Sequence, residues 1–194
     1  ADRFHTHNAF RAPGAASLEA LRARPTKVGY FQDVYARMHR EIRPNAIYVT
    51  EDNLDLLDDL DFVFVCIDRG EDKRKILEHL IERGTPFIDV GLGVQFHGDL
   101  LGGTVRATFC SKEQSDHILD SGRISFRNRD EDDYDNNIQI ADMNALNAIL
   151  AVIRWKKWVG IYSDQVCEHQ MLYLLDGNVI LNSLTCEDSD EHTL

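Results

Sequence analysis

The sequence predicts an α/β protein: a mainly parallel sheet flanked by helices, with antiparallel strands toward the C-terminus. Three observations carry this expectation. Asp61–Ile67 (DFVFVCI) is an apolar run without alternation, the pattern of a parallel strand buried on both faces. Glu71–Arg83 sets Ile76, Leu77, Leu80 and Ile81 on one side of a helix and stops at Gly84. Pro86–Val90 (PFIDV) follows after two residues as a second buried strand. Strand, helix and strand at this pace make a βαβ unit, for which a right-handed crossover is the rule.

The remaining elements follow from local chemistry. Residues 1–16 read as a strand end running into a loop, with Pro13-Gly14 as the turn. Ser17 caps a short helix that ends before Pro25. Val28 to Ile42 has Phe31, Val34, Tyr35, Met38 and Ile42 at helical spacing, and Pro44-Asn45 ends it. Ala46–Val49 reads as a short strand and Asn53–Leu57 as a helical turn. After Gly91-Leu92-Gly93 the pattern changes. Val94–His97 and Thr104–Cys110 read as antiparallel strands joined through Gly102-Gly103. Residues 111–137 form a polar crossover loop ending in the acidic run RDEDDYDNN. Ile138 to about Gly160 is a long apolar helix, read as buried along most of its length. Met171–Leu175 and Val179–Leu184 flank Asp176-Gly177-Asn178, a hairpin signal.

With 194 residues and 43% hydrophobic content, residues 1–194 fit one domain with a sizeable core. A net charge of −12 and the lack of a basic stripe argue against a nucleic-acid partner. No apolar run is long enough to span a bilayer and no signal peptide opens the chain, so a cytoplasmic protein is expected. Cys66, Cys110, Cys167 and Cys186 show no paired spacing and read as reduced thiols.

One ordered set of residues suggests chemistry. Asp2, Asn8, Arg11 and Lys27 are followed by Asp68 at the end of a buried strand, where ligands of open α/β sheets sit. Cations face phosphates and an acid holds the metal of a magnesium nucleotide. Taken singly, Asp68 could be a helix N-terminal acid, Asn8 a turn residue, and Arg11 and Lys27 surface cations. His5 and His7 could share one face of an extended segment, without an evident third metal ligand. Asp89 either lines the same cleft or caps the Gly91 turn. Trp155-Lys156-Lys157-Trp158 reads as packing plus lysines that complement a helix dipole.

The set resembles the ubiquitin-activating-enzyme-like superfamily, of the ThiF/MoeB type. The match runs through Asp2, Asn8-Ala9-Phe10-Arg11, Lys27 in RPTK, Cys66-Ile67-Asp68, Gly84-Thr85-Pro86-Phe87-Ile88 and the long helix NIQIADMNALNAILAVIRW. The resemblance covers residues 2–98 firmly and the rest loosely. It implies a Rossmann-like fold and ATP- and magnesium-dependent adenylation of the C-terminal glycine of a ubiquitin-like or sulfur-carrier protein. It further implies that Asn8 and Arg11 contact phosphates, that Lys27 stabilises the transferred group, and that Asp68 organises magnesium. A homodimer is also implied, with the long helix as a contact.

Several features depart from the family pattern. The first acid of its acid-x-acid pair would fall one residue before Ala1, and its first strand and glycine-rich loop would fall earlier still. The chain therefore reads as an N-terminally truncated adenylation domain that binds ATP poorly by itself. The family's paired zinc cysteines are reduced to Cys110 and Cys186, so zinc is not expected. No cysteine lies in 127–137; Cys110 is the nearest substitute nucleophile, though a cysteine at a strand end is more often a small buried hydrophobe. Two rival readings stand beside this one: a non-catalytic Rossmann-like interaction scaffold, and an NAD-dependent oxidoreductase.

Overall fold

A computed structural model describes residues 2–9, 12, 14, 16–68, 70–119, 122–126 and 140–184. Near the N-terminus, Arg3 bridges Thr26, and the Phe4 N–H donates to the Pro25 carbonyl at 2.8 Å. Phe4 is buried; it stacks on Tyr30 at 4.4 Å and meets the edge of Phe31. Short helix α1 (Thr6–Ala9) lies within the segment read as strand end and loop. In α2 (Leu18–Ala23), Ser17 accepts from the Ala20 N–H as expected, and Arg24 ends the helix at φ +47°. Thr26 caps α3 (Lys27–Tyr35) in the same way.

Two expectations fail in the next stretch. Helix α3 stops at Tyr35 instead of Ile42, because no other element covers its apolar side beyond that point: Met38 is 83% exposed. The chain turns back, and Gln32 donates to the Ile42 carbonyl. Residues 46–49 form no strand. Ile47 and Tyr48 are exposed, and the Asn53 carboxamide bridges the Tyr48 carbonyl and the Thr50 N–H, opening a 3-10 helix over Glu51–Leu57.

The sheet has the order β1-β2-β3-β4-β5, with β1 Val63–Val65, β2 Phe87–His97, β3 Leu100–Cys110, β4 Gln170–Leu174 and β5 Val179–Ser183. Helix α4 (Gly70–Arg83) connects β1 to β2, which pair in parallel. The other pairs are antiparallel, so the sheet is mixed rather than mainly parallel. The reason lies in β2, which runs straight through Gly91-Leu92-Gly93 and returns at Gly98-Asp99, with Gly98 at φ +64°. Gly102 and Gly103 therefore lie inside β3 and do not form the joint. At the far edge, Leu174 and Val179 pair across the expected turn, with Asn178 at φ +49°.

Period-two alternation assigns the faces. Val65, Phe87 and Cys110 pack with Ile76, Leu77 and Leu80 of α4. Ile88, Ala107 and Phe109 pack with Ala151 and Trp155 of α5 (Ala141–Trp158). The helices thus cover opposite faces. Strand β1 is not buried on both sides, since Phe64 on the α5 face is 42% exposed. Helix α5 is buried along one stripe only: Met143, Asn147, Ala151 and Arg154 point inward while Ile149 and Val152 are exposed. The 111–137 segment is more than a polar loop, because His117, Ile118 and Ile124 are buried, the two isoleucines against the α4-side core. Its acidic run Asp130–Asp135 lies outside the described residues. Cys66 and Cys110 are free, whereas Cys167 is disulfide-bonded, contrary to the reduced state expected. Sequence spacing reports nothing of which thiols meet in space. Among the described residues no helix is long and apolar enough to cross a membrane.

Candidate functional site

The N-terminal residues meet because Phe4 is buried. With Phe4 seated on Tyr30 and Phe31, the Asp2 carbonyl accepts from the Lys27 N–H at 2.9 Å. The two side chains form an ion pair. Partial burial opposes ionisation of Asp2, but the hydrogen bond and charge of Lys27 hold its carboxyl below the usual value. Asn8 acts within its own turn, where its Oδ1 accepts from the His5 N–H at 2.8 Å and closes the start of α1. His5 and His7 stack with ring centroids 5.5 Å apart. Arg11 lies outside the described residues. Beside Lys27 a groove of about 290 Å³ is lined by Val28, Phe31, Tyr35, Ile42 and Pro44, with Arg43 on its wall.

Asp68 lies in the connection from β1 to α4, exposed, two residues before the helix begins at Gly70. A single exposed carboxylate suits magnesium where phosphate oxygens and water supply the remaining ligands. Of the expected set, the structure brings Asp2 and Lys27 together, whereas Asp68 lies in the connection from β1 to α4. Cys110 does not suit a nucleophile. It is 2% exposed, and burial pushes its thiol up to about 12, so it is held as a small neutral hydrophobe.

Within the sheet, around Asp89, lies a buried charge group that the sequence did not reveal. Asp89 is fully buried and takes Lys73 Nζ at 2.9 Å on one oxygen and Arg106 Nη2 at 2.5 Å on the other. Arg106 also donates to Thr108 Oγ1. Gly91 makes room for this arrangement, since a Cβ there would stand 2.6 Å from Arg106 Nη2. On the opposite face, buried Asn147 donates to the Gly91 carbonyl at 3.1 Å. Asp89 thus neither caps the Gly91 turn nor faces solvent. The Cys66 thiol is nearby: burial and the Asp89 carboxylate push it up, and Lys73 pulls it down. One sequence signal could have marked the group: Lys73 shares the helical stripe of Ile76, Leu77 and Leu80.

A second polar group gathers at the end of α5. Arg154 pairs with Asp164 and lies 4.8 Å over the Phe109 ring, while Lys157 reaches Glu168 at 2.9 Å. The lysine pair in the WKKW motif is therefore not only a dipole complement. The Phe109 carbonyl accepts ring N–H groups from His117 at 2.9 Å and His169 at 3.3 Å. Burial lowers both imidazoles, His169 to about 4. Folding thus favours the neutral rings. That stability is complete above the unfolded value near 6.5 and is lost as pH falls from there toward 4. Melting temperature is expected to drop over this window by the equivalent of about 1–2 kcal/mol, with His169's partial exposure discounted. His169→Gln should flatten the profile; an unchanged profile would remove the imidazole as the cause.

No family model matches the chain, and no curated protein matches its sequence. Among solved structures it is similar to a crystal structure of selenomethionine PaaA, with a TM-score of 0.58 and 11% identity over 94% of this chain. The match takes in 61% of the PaaA chain, so this chain spans about three-fifths of that protein's length. At this identity the likeness shows the fold alone: an α/β fold built on a five-stranded mixed sheet.

Proposed function

We propose that the chain carries the phosphate and metal side of a ThiF/MoeB-type adenylation site on a Rossmann-like fold. The observation that carries this reading is the ordered set Asp2, Asn8, Arg11, Lys27 and Asp68, of which Asp2 and Lys27 meet across 25 residues. The groove beside Lys27 adds support, because apolar walls with cations at hand suit a base and its phosphates. In this reading a carrier protein's C-terminal carboxylate attacks the α-phosphate of ATP. A phosphorus–oxygen bond forms, the α–β bridge breaks, and pyrophosphate leaves. Lys27 and Arg11 offset the charge that collects on the phosphate oxygens. Asp68 would hold magnesium, which would supply positive charge against the same oxygens. Binding of a ubiquitin-like or sulfur-carrier protein, homodimerisation and a cytoplasmic location belong to the same proposal. Exposed Ile149 and Val152 on α5 suit the dimer contact.

A second reading, the non-catalytic scaffold, rests on one observation: Lys27 already spends its charge on Asp2. Carrier-dependent ATP–pyrophosphate exchange by the intact protein separates the two. Asp68→Ala is expected to lower exchange by about 100-fold or more, and Lys27→Ala by about 10-fold or more. Exchange that both variants leave unchanged would remove the site assignment and favour the scaffold.

A further inference from the structure

We propose that Asp89, with Lys73, is a positioning device that holds both ends of the connection carrying Asp68. The inference rests on the adenylation reading for its consequence at the metal, and on geometry for the tie itself.

The backbone of Asp89 pairs in register with Val65, the last residue of β1. Its side chain takes Lys73, in the first turn of α4, at 2.9 Å. Between strand and helix the chain is Cys66 to Arg69, and Asp68 lies within it. One residue of β2 therefore fixes where the connection leaves the sheet and where it enters the helix. Arg106 supplies the second half of the device. By occupying the other Asp89 oxygen it leaves the two carboxylate oxygens aimed at two different cations. All three side chains lie deep: Asp89 0% exposed, Lys73 6% and Arg106 13%. In such surroundings their geometry is little loosened by solvent.

The arrangement also supplies a clean way to cut the tie. Lys73→Met leaves the Asp89–Arg106 pair intact and removes the cluster's extra positive charge, so no buried charge is orphaned. Backbone order parameters of Cys66, Ile67 and Asp68 are expected to fall from the rigid range near ~0.85 to below ~0.6. Val90 and Ala107, in the adjoining strands, should stay rigid. In ATP–pyrophosphate exchange, the magnesium concentration at half-saturation should rise by about 10-fold or more, and Lys73→Arg should restore both readouts. Should the methionine variant not fold, Lys73→Gln is read in the same way.

Unchanged order parameters would overturn the proposal whatever the exchange assay shows. A loosened connection with unchanged magnesium dependence would also overturn it, since the tie would then not position Asp68. A loosened connection in a protein whose wild type shows no exchange would uphold the tie and discard the adenylation reading.

Discussion

Asp89→Ala is expected to destabilise the protein by about 3–5 kcal/mol, because it leaves Lys73 and Arg106 facing each other with no counter-charge. For a chain of this length that is a fall of roughly 6–20 °C in melting temperature. Thermal or urea unfolding checks it, with the denaturant slope unchanged. Adding Lys73→Met should recover part of the loss by removing one stranded cation. A single-variant loss under about 1 kcal/mol would mean that water reaches the cluster and screens it.

Arg154→Ala is expected to cost about 3 kcal/mol or more, for the opposite electrostatic reason. It leaves Asp164 and Glu168 to share Lys157 alone, and it uncovers the face of Phe109. Burial works against the Asp164 carboxylate; hydrogen bonds from Arg154 and the Cys167 N–H nevertheless hold its pKa below the usual value. Without Arg154 that carboxylate should titrate higher, which carboxyl-carbon chemical shifts can follow. If both stability and titration stayed at wild-type values, the contact would be dispensable.

Elements whose packing is written in their own periodicity were legible in the sequence. The βαβ unit, the Ser17 cap and the final hairpin are cases where local pattern and tertiary need agree. Ala46–Val49 shows the converse, since β-branched and aromatic content makes a strand only where another strand offers hydrogen bonds. Gly91-Leu92-Gly93 and Gly102-Gly103 read as breaks because glycine usually is one. Here Gly91 clears space for Arg106, and Gly103 lies where a Cβ would collide with Met143. Of the candidate site, the sequence named residues but not their employment. Asn8 closes a helical turn, Lys27 pairs with Asp2, and Cys110 is core. The buried charges were hidden because a lysine or arginine on an amphipathic helix is ordinarily solvated, and its ion-pair partner lies on another element.

The β2–β3 hairpin has a consequence in time as well as in space. Its eleven cross-strand pairs close on a two-residue turn, so each forms at little cost in loop entropy. Strand β1 joins β2 only after α4 has been spanned, and β4 joins β3 only after the chain from 111 to 169 has been laid down. Sheet growth should therefore start at the hairpin and spread outward. The Lys73–Asp89 contact requires α4 in place and so belongs to the closing steps. Changes to that contact then act mainly on the rate at which the native protein opens, and little on the rate at which it forms.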